Sequence, residues 1–221
     1  MRIGILGNGL MAEALGGRWA KAGHELFIGG RSPERARKLA EQLSTQSGPP
    51  PEAAEDGPLE RPVRSGTLQQ AADFGTALLL AVPAEAAVTT VQTLDLGHRT
   101  LIDCTNAITH PGVVLAVDAM AETINQYAGQ ARVVKAFNLA ADSVWRRAPQ
   151  PGRPLGVPIC GDDQEALDQV AVLVRDLGCE PVHAGGLDRA RLLEATAAFA
   201  IGVWLRGGDT RELFPPKDQA F

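Results

Sequence analysis

An α/β fold, built on a doubly wound and mostly parallel sheet with a small C-terminal helical extension, is predicted by two observations. Short apolar runs alternate with longer amphipathic ones along most of the chain, the pattern of strand–helix–strand units. Two of those runs, Ile3–Leu6 and Ala77–Val82, are apolar nearly throughout, as strands covered on both faces must be.

The elements follow in order. Strands are expected at Arg2–Leu6, Glu25–Ile28, Ala77–Val82, Thr100–Cys104, Val133–Phe137, Gly156–Cys160 and Glu180–His183. Helices are expected at Leu10–Ala22, Pro33–Leu43, Ala84–Leu94, Val113–Tyr127 and Gln164–Leu177. Right-handed crossovers then leave little freedom in the layout. The stretch Ser44–Gly66 is rich in proline, glycine and charge, so residues 44–66 read as a surface insertion without a packed element. Leu187–Gly208 reads as a long helix whose second half is apolar nearly all round; such a helix is expected to be buried against its own domain or a partner. The chain therefore divides into a main domain, residues 1–185, and a helix and tail, residues 186–221, that close the site or form a dimer contact.

Composition narrows the function classes. With 21 basic and 26 acidic residues the net charge is −5, which offers no electrostatic footprint for nucleic acid and no polybasic surface for a membrane. The apolar stretch Ala195–Leu205 is shorter than the roughly 20 residues that span a bilayer. Met1 runs directly into a strand pattern, so no secretory signal is expected and a cytoplasmic location is. The cysteines Cys104, Cys160 and Cys179 and the four histidines are scattered, so reduced, packed thiols and no metal site are expected.

The segment "GILGNGLMA" sets Gly7, Gly9 and Ala12 in a G-x-G-x-x-A order between the first strand and the first helix. Gly7 permits the tight turn, Gly9 lets the backbone approach a pyrophosphate, and Ala12 allows close helix–strand packing. Asn8, Leu10 and Met11 lie within the same turn, and the helix start offers free amides to phosphate. This is a Rossmann-type dinucleotide site. Where NAD-specific folds place a carboxylate after the second strand, this chain has Arg31 and Ser32, with Arg35 one turn on. A guanidinium, a hydroxyl and helix amides suit a 2′-phosphate, so the expected cofactor is NADP, although Ser32 and Pro33 would also serve as an ordinary helix start.

Ligands in such sheets sit beyond the carboxyl ends of the strands. Val82, Pro83, Thr105, Asn106, Asn138 and Leu139 leave those ends. Val82 and Pro83 are expected along the nicotinamide or its ribose, and Asn106 and Asn138 are amides able to orient a carboxamide or a flat heterocycle. There is no Ser–His–Asp order, no carboxylate pair at strand ends and no Tyr-x-x-x-Lys. Direct hydride passage between two stacked rings fits so sparse an inventory. The expected partner is a small-molecule electron acceptor.

Together these segments resemble the NADP-dependent oxidoreductases that act on the deazaflavin coenzyme F-420. The landmarks are "GILGNGLMAEAL", "GHELFIGGRSPERA", "AVP", "VVKAFN", "VPICGDDQEA" and "HAGGLDRARLLEA". The cytoplasmic domains of six-transmembrane metalloreductases are similar too, above all at "VVKAFN". The resemblance implies an NADP-binding Rossmann domain closed by a smaller C-terminal segment, with phosphate contacts at Arg31, Ser32 and Arg35. The chain departs from the deazaflavin pattern at Asn138, where a histidine is frequent and the metalloreductases have asparagine, and at His183, where an aspartate is usual. Besides a deazaflavin, an ordinary flavin, a quinone or a ferric chelate is therefore an alternative acceptor. A reading of another class is an NADP(H)-sensing protein without turnover.

Overall fold

The computed structural model describes residues 1–46, 63–147, 152, 154–210 and 213. The chain opens with β1 (Arg2–Leu6), α1 (Leu10–Lys21), β2 (Glu25–Gly29) and α2 (Pro33–Gln46). After the undescribed stretch come β3 (Arg64–Gly66), α3 (Leu68–Phe74), β4 (Ala77–Leu80), α4 (Ala84–Gln92) and β5 (Thr100–Asp103). The remainder is α5 (Met120–Tyr127), β6 (Arg132–Lys135), α6 (Asp142–Trp145), β7 (Gly156–Gly161), α7 (Gln164–Asp176), β8 (Glu180–His183) and α8 (Ala190–Leu205). A single 3₁₀ turn, Leu187–Arg189, precedes α8.

The strands form one 8-stranded sheet in the order β3-β2-β1-β4-β5-β6-β7-β8. The pairings from β3 across to β6 are parallel; β7 runs antiparallel to β6 and β8 parallel to β7. This is the doubly wound, mostly parallel Rossmann-type sheet, and its strand order reverses between β1 and β4. Alternate side chains feed opposite layers. Ile3, Ile5, Ala77 and Leu79 pack under α1, α2 and α7, whereas Leu6, Leu78 and Leu80 pack with α3, α4, α5 and Ala190 of α8. Trp19 anchors the first layer, its indole N–H donating to the Leu173 carbonyl at 3.1 Å, so the polar end of a buried ring is satisfied.

Several sequence expectations are corrected. Residues 44–46 continue α2 instead of opening the insertion: the Ser44 hydroxyl donates to Ala40 O and accepts from the Val63 amide. Arg64–Gly66 is an edge strand paired with Phe27–Gly29; three polar and small residues on an edge carry no apolar signal. Residues 47–62 of the expected insertion lie outside the described residues. Helix α3 was not expected, although Thr67 and Gln70 form a reciprocal capping box at its start. The helix expected from Val113 begins only at Met120. Residues 107–116 instead fold back as an antiparallel excursion, with an Ile108–Leu115 bridge and Val113 at a φ of 52°. Its Thr109 N–Val114 O and Ala116 N–Ala107 O bonds satisfy the local backbone in a non-helical arrangement.

Within the chain α8 buries its small side, Ala190, Ala197, Ala198 and Gly202, together with Glu194. Phe199, Trp204 and Leu205 remain exposed, at 55%, 48% and 69%. The expected burial of the apolar half therefore does not occur against its own domain. No helix among the described residues is long and apolar enough to cross a membrane.

A candidate dinucleotide cleft at the strand switch point

The cleft begins with the turn between β1 and α1. Gly7 has a φ of 128°, and a Cβ there would meet the Ala81 carbonyl oxygen at 2.3 Å. Only glycine satisfies both the torsion and the contact. Around Gly9, by contrast, a Cβ would find nothing within 4 Å, so the backbone borders open space. Gly9 is the N-cap of α1 and no side chain caps the helix. Its first amides thus have no side-chain cap, as at the helix starts that hold phosphate. Ala12 is fully buried against the sheet, which brings the helix close.

Beside this turn, Gly7 N donates to Gly29 O at 2.9 Å, and a Cβ on Gly30 would strike the Asn8 amide at 2.7 Å. The glycine pair before Arg31 therefore has a packing cause: Gly30 lets the Asn8 side chain lie against the end of β2, and Gly29 lies under α3. Arg31 and Ser32 leave β2 next to the glycine turn. The Ser32 Oγ accepts from the Arg35 amide at a long 3.4 Å. The side chains of Arg31 and Arg35, both exposed, form no salt bridge among the described residues.

From the switch point a cleft of about 440 Å³ extends along the carboxyl ends of β4, β5 and β6. It joins Gly9, Leu10 and Met11 to Val82 and Pro83 on one side and to Asn106 and Asn138 on the other. With Thr105, eight of the sequence-predicted positions are thus brought to one surface. Arg31, Ser32, Arg35 and Leu139 are not among its lining, and Gly7, Asn8 and Ala12 support it from behind. The sequence reading missed Ala81, Ala84, Ala140, Ala141 and Asp142, small or ordinary loop residues with no type-specific signal; Asp142 opens the short helix α6. A second depression, of about 480 Å³ and lined by Arg2, Arg99 and Arg132, lies at the amino ends of the strands, the end where this fold class does not bind its cofactor.

The two asparagines clasp each other. Asn106 Nδ2 donates to the Asn138 carbonyl at 2.7 Å, and Asn138 Nδ2 donates to Asn106 Oδ1 at 3.0 Å. Asn138 Oδ1 is buried and has no partner. Natural structures rarely leave such an acceptor unsatisfied. Asn138 is delivered by a left-handed residue, Phe137, at a φ of 64°. The Phe137 ring is held edge-on between Trp19 and Trp145, at centroid distances of 5.7 and 5.5 Å. Strained backbone of this kind costs about 1–3 kcal/mol and persists where packing fixes it.

The cleft's remaining chemistry is quiet. Burial pushes the Cys104 thiol up to about 12, with the neighbouring Asp103 adding to the shift, and Cys104 Sγ donates to Leu80 O. Asp142 is ion-paired with Arg146. Among the described residues no group of three or more His, Cys, Asp or Glu could hold a metal.

Comparisons with known proteins agree with this geometry. Residues 2–107 match the family model described as NADP oxidoreductase coenzyme F420-dependent. The F420-dependent NADP reductase of Methanothermobacter thermautotrophicus is 26% identical over 93% of this chain and 90% of its own length. Metalloreductase STEAP3 of Rattus norvegicus is 26% identical over 92% of this chain; the chain spans only 38% of that protein. Among solved structures, a reductive aminase from Aspergillus terreus in complex with NADPH and ethyl levulinate superposes with a TM-score of 0.66 at 17% identity, covering 93% of this chain and 62% of the other; it is similar in fold alone. Over most of its length the chain is similar to NADP-dependent oxidoreductases, and over its N-terminal half to those that depend on coenzyme F420.

Proposed function

We propose that this chain is an NADP-dependent oxidoreductase that passes a hydride between NADPH and a second flat ring, a deazaflavin of the coenzyme F-420 type. The observation that carries the reading is the cleft itself: a helix start without a side-chain cap at one end, and the paired amides of Asn106 and Asn138 at the other. The backbone amides of Leu10, Met11 and Ala12 would bind the pyrophosphate, with Gly7 and Asn8 shaping the turn. Arg31, Ser32 and Arg35 would take the 2′-phosphate, a charge-assisted contact unavailable to NAD. Val82 and Pro83 would form an apolar wall for the nicotinamide side, while Asn106 and Asn138 would orient the rings; Leu139, outside the lining, is given no contact. Bound NADPH supplies the hydride, two electrons and one hydrogen; the balancing proton of the reduced acceptor comes from solvent. No side chain of the cleft is assigned a proton, in keeping with the raised Cys104 thiol and the paired Asp142. Positioning then carries the catalysis.

Asn138 and the similarity to the metalloreductase favour a second acceptor class, an ordinary flavin, quinone or ferric chelate. Anaerobic NADPH oxidation by the purified protein against deazaflavin, flavin, quinone and ferric acceptors separates the readings. The deazaflavin is expected to react fastest. Tight NADPH binding with no oxidation by any acceptor would leave a sensing protein and overturn the enzyme reading. We further propose a homodimer formed through the exposed apolar end of α8, because a patch of Phe199, Trp204 and Leu205 is unusual on a free monomer surface.

A further inference from the structure

Behind the cleft lies a buried ionic cluster that meets its lining at Cys104 and Thr105, the two residues that follow Asp103. Asp103 ends β5, Lys135 ends β6 and Glu194 lies in α8, each with no exposure to solvent. Lys135 Nζ donates to Asp103 Oδ2 at 2.9 Å, to the Thr105 carbonyl at 2.7 Å and to Glu194 Oε1 at 2.9 Å. All three ammonium hydrogens are therefore placed. Asp103 Oδ1 accepts from both the Thr105 amide, at 2.8 Å, and the Thr105 hydroxyl, at 2.7 Å. Glu194 accepts from the Met120 and Ala121 amides at 2.9 and 3.0 Å. It thereby caps α5, whose own N-cap residue, Ala119, has no capping side chain.

Burial alone would lower the Lys135 ammonium, but Asp103 and Glu194 outweigh it and hold the group above its ordinary value. The two carboxylates against one ammonium leave a negative excess, and the start of α5 faces it with amides and a partial positive charge. A buried network this fully satisfied fixes one arrangement of the groups it joins. Those groups are the carboxyl ends of two central strands, the Thr105–Asn106 loop and the C-terminal helix. The lysine and the glutamate sit in "VVKAFN" and "RLLEA", segments to which the hydride-transfer reading gives no role for either residue.

We propose that the Asp103–Lys135–Glu194 cluster is the positioning device of the cleft, holding Thr105 and Asn106 in register with Asn138 so that the paired amides meet the ring at a fixed height. The inference rests on the reading of the cleft as a hydride-transfer site. None of the three residues reaches the ligand space, so they act through Thr105 and are positioning residues. The cluster also makes the geometry of the cleft depend on α8, which contributes no lining residue among those described.

The test compares wild type with Glu194→Gln and Thr105→Val. The first removes one charge from the cluster; the second leaves every charge paired but removes the hydroxyl by which a lining residue is held to Asp103. NADPH affinity, single-turnover hydride transfer per bound NADPH, and hydrogen exchange at the residue-105 amide are measured well below each melting temperature. Glu194→Gln is expected to slow transfer about tenfold or more while NADPH affinity stays within about twofold. Exchange at the Thr105 amide is expected to accelerate in step. Thr105→Val should shift transfer in the same direction by a smaller factor; because Thr105 lines the cleft, its amide exchange decides if Glu194→Gln does not fold, acceleration supporting the proposal and an unchanged rate overturning it. A folded variant that melts earlier but transfers hydride and exchanges at wild-type rates overturns the proposal, because a merely structural cluster behaves that way. If wild type itself reduces no ring acceptor, the functional reading fails, and the exchange rate alone then decides the positioning claim: accelerated exchange supports it and unchanged exchange overturns it.

Discussion

Arg31 is the residue on which we propose that cofactor choice turns. It leaves β2 beside the glycine turn, exposed and without a salt bridge among the described residues, in the position where an NAD-binding fold places its carboxylate. Arg31→Ala should cost about 1.5–3 kcal/mol of NADPH affinity, roughly tenfold or more, and leave NADH nearly unaffected. Titrating both cofactors into both proteins checks this; equal affinities in the wild type would contradict it. Asn138→Ala should do the reverse, slowing hydride transfer with little change in NADPH affinity, since most of the binding contacts lie at the other end of the cleft. A variant that only melts earlier would make Asn138 a plain loop residue. The glycine turn and the strand-end asparagines were legible in the sequence through their common location beyond the strands, since each alone could serve as a loop cap. The alanine lining was not, because alanine signals nothing about where it points. The Asn106–Asn138 clasp was equally hidden, since residues 32 apart in the chain meet only through neighbouring strands.

At the scale of elements, legibility followed burial. Strands β1 and β4, covered on both faces, were read nearly to their ends, whereas edge strand β3 and the short helices α3 and α6 were missed. Their residues are too few or too polar to show a period. The helix expected from Val113 failed for another reason: a local hairpin-like excursion satisfied the backbone first. The turn at Phe137 shows how packing supports the site. Phe137→Ala would remove a ring fixed between two tryptophans and should destabilise the protein by about 3–5 kcal/mol in chemical denaturation, besides loosening Asn138.

A second inter-element contact should give stability a pH signature. His24, after α1, bonds Asp176 of α7 at 2.8 Å. Burial, aided by the N-terminal ammonium, nonetheless lowers its ionisation below 6.5, against the opposing pull of Asp176. A histidine depressed in the folded state binds its proton first in the unfolded chain. Its contribution is therefore present above pH 6.5 and is lost as pH falls from there toward the folded value. The melting temperature of wild type should drop more steeply between about pH 7.5 and 5.5 than that of His24→Gln; parallel curves would contradict it.

The whole molecule joins two layers around a cleft at the strand reversal, and α8 ends in an apolar face that its own domain does not cover. Trp204→Asp together with Leu205→Asp should convert a dimer to a monomer at micromolar concentration without altering the fold, as sedimentation and circular dichroism would show. A wild-type monomer would refute the dimer. Composition and apolar periodicity identified this helix as one needing cover, but the sequence could not say that its small residues, not its large ones, would face the sheet. The central claim is that the cleft aligns two rings for direct transfer. It is tested most directly by mixing the protein anaerobically with deazaflavin and NADPH carrying deuterium at the transferred position of nicotinamide C4. The deuterium is expected on the carbon of the reduced deazaflavin ring. Loss of the label to water, or NADPH left unoxidised in the presence of every ring acceptor, would contradict it.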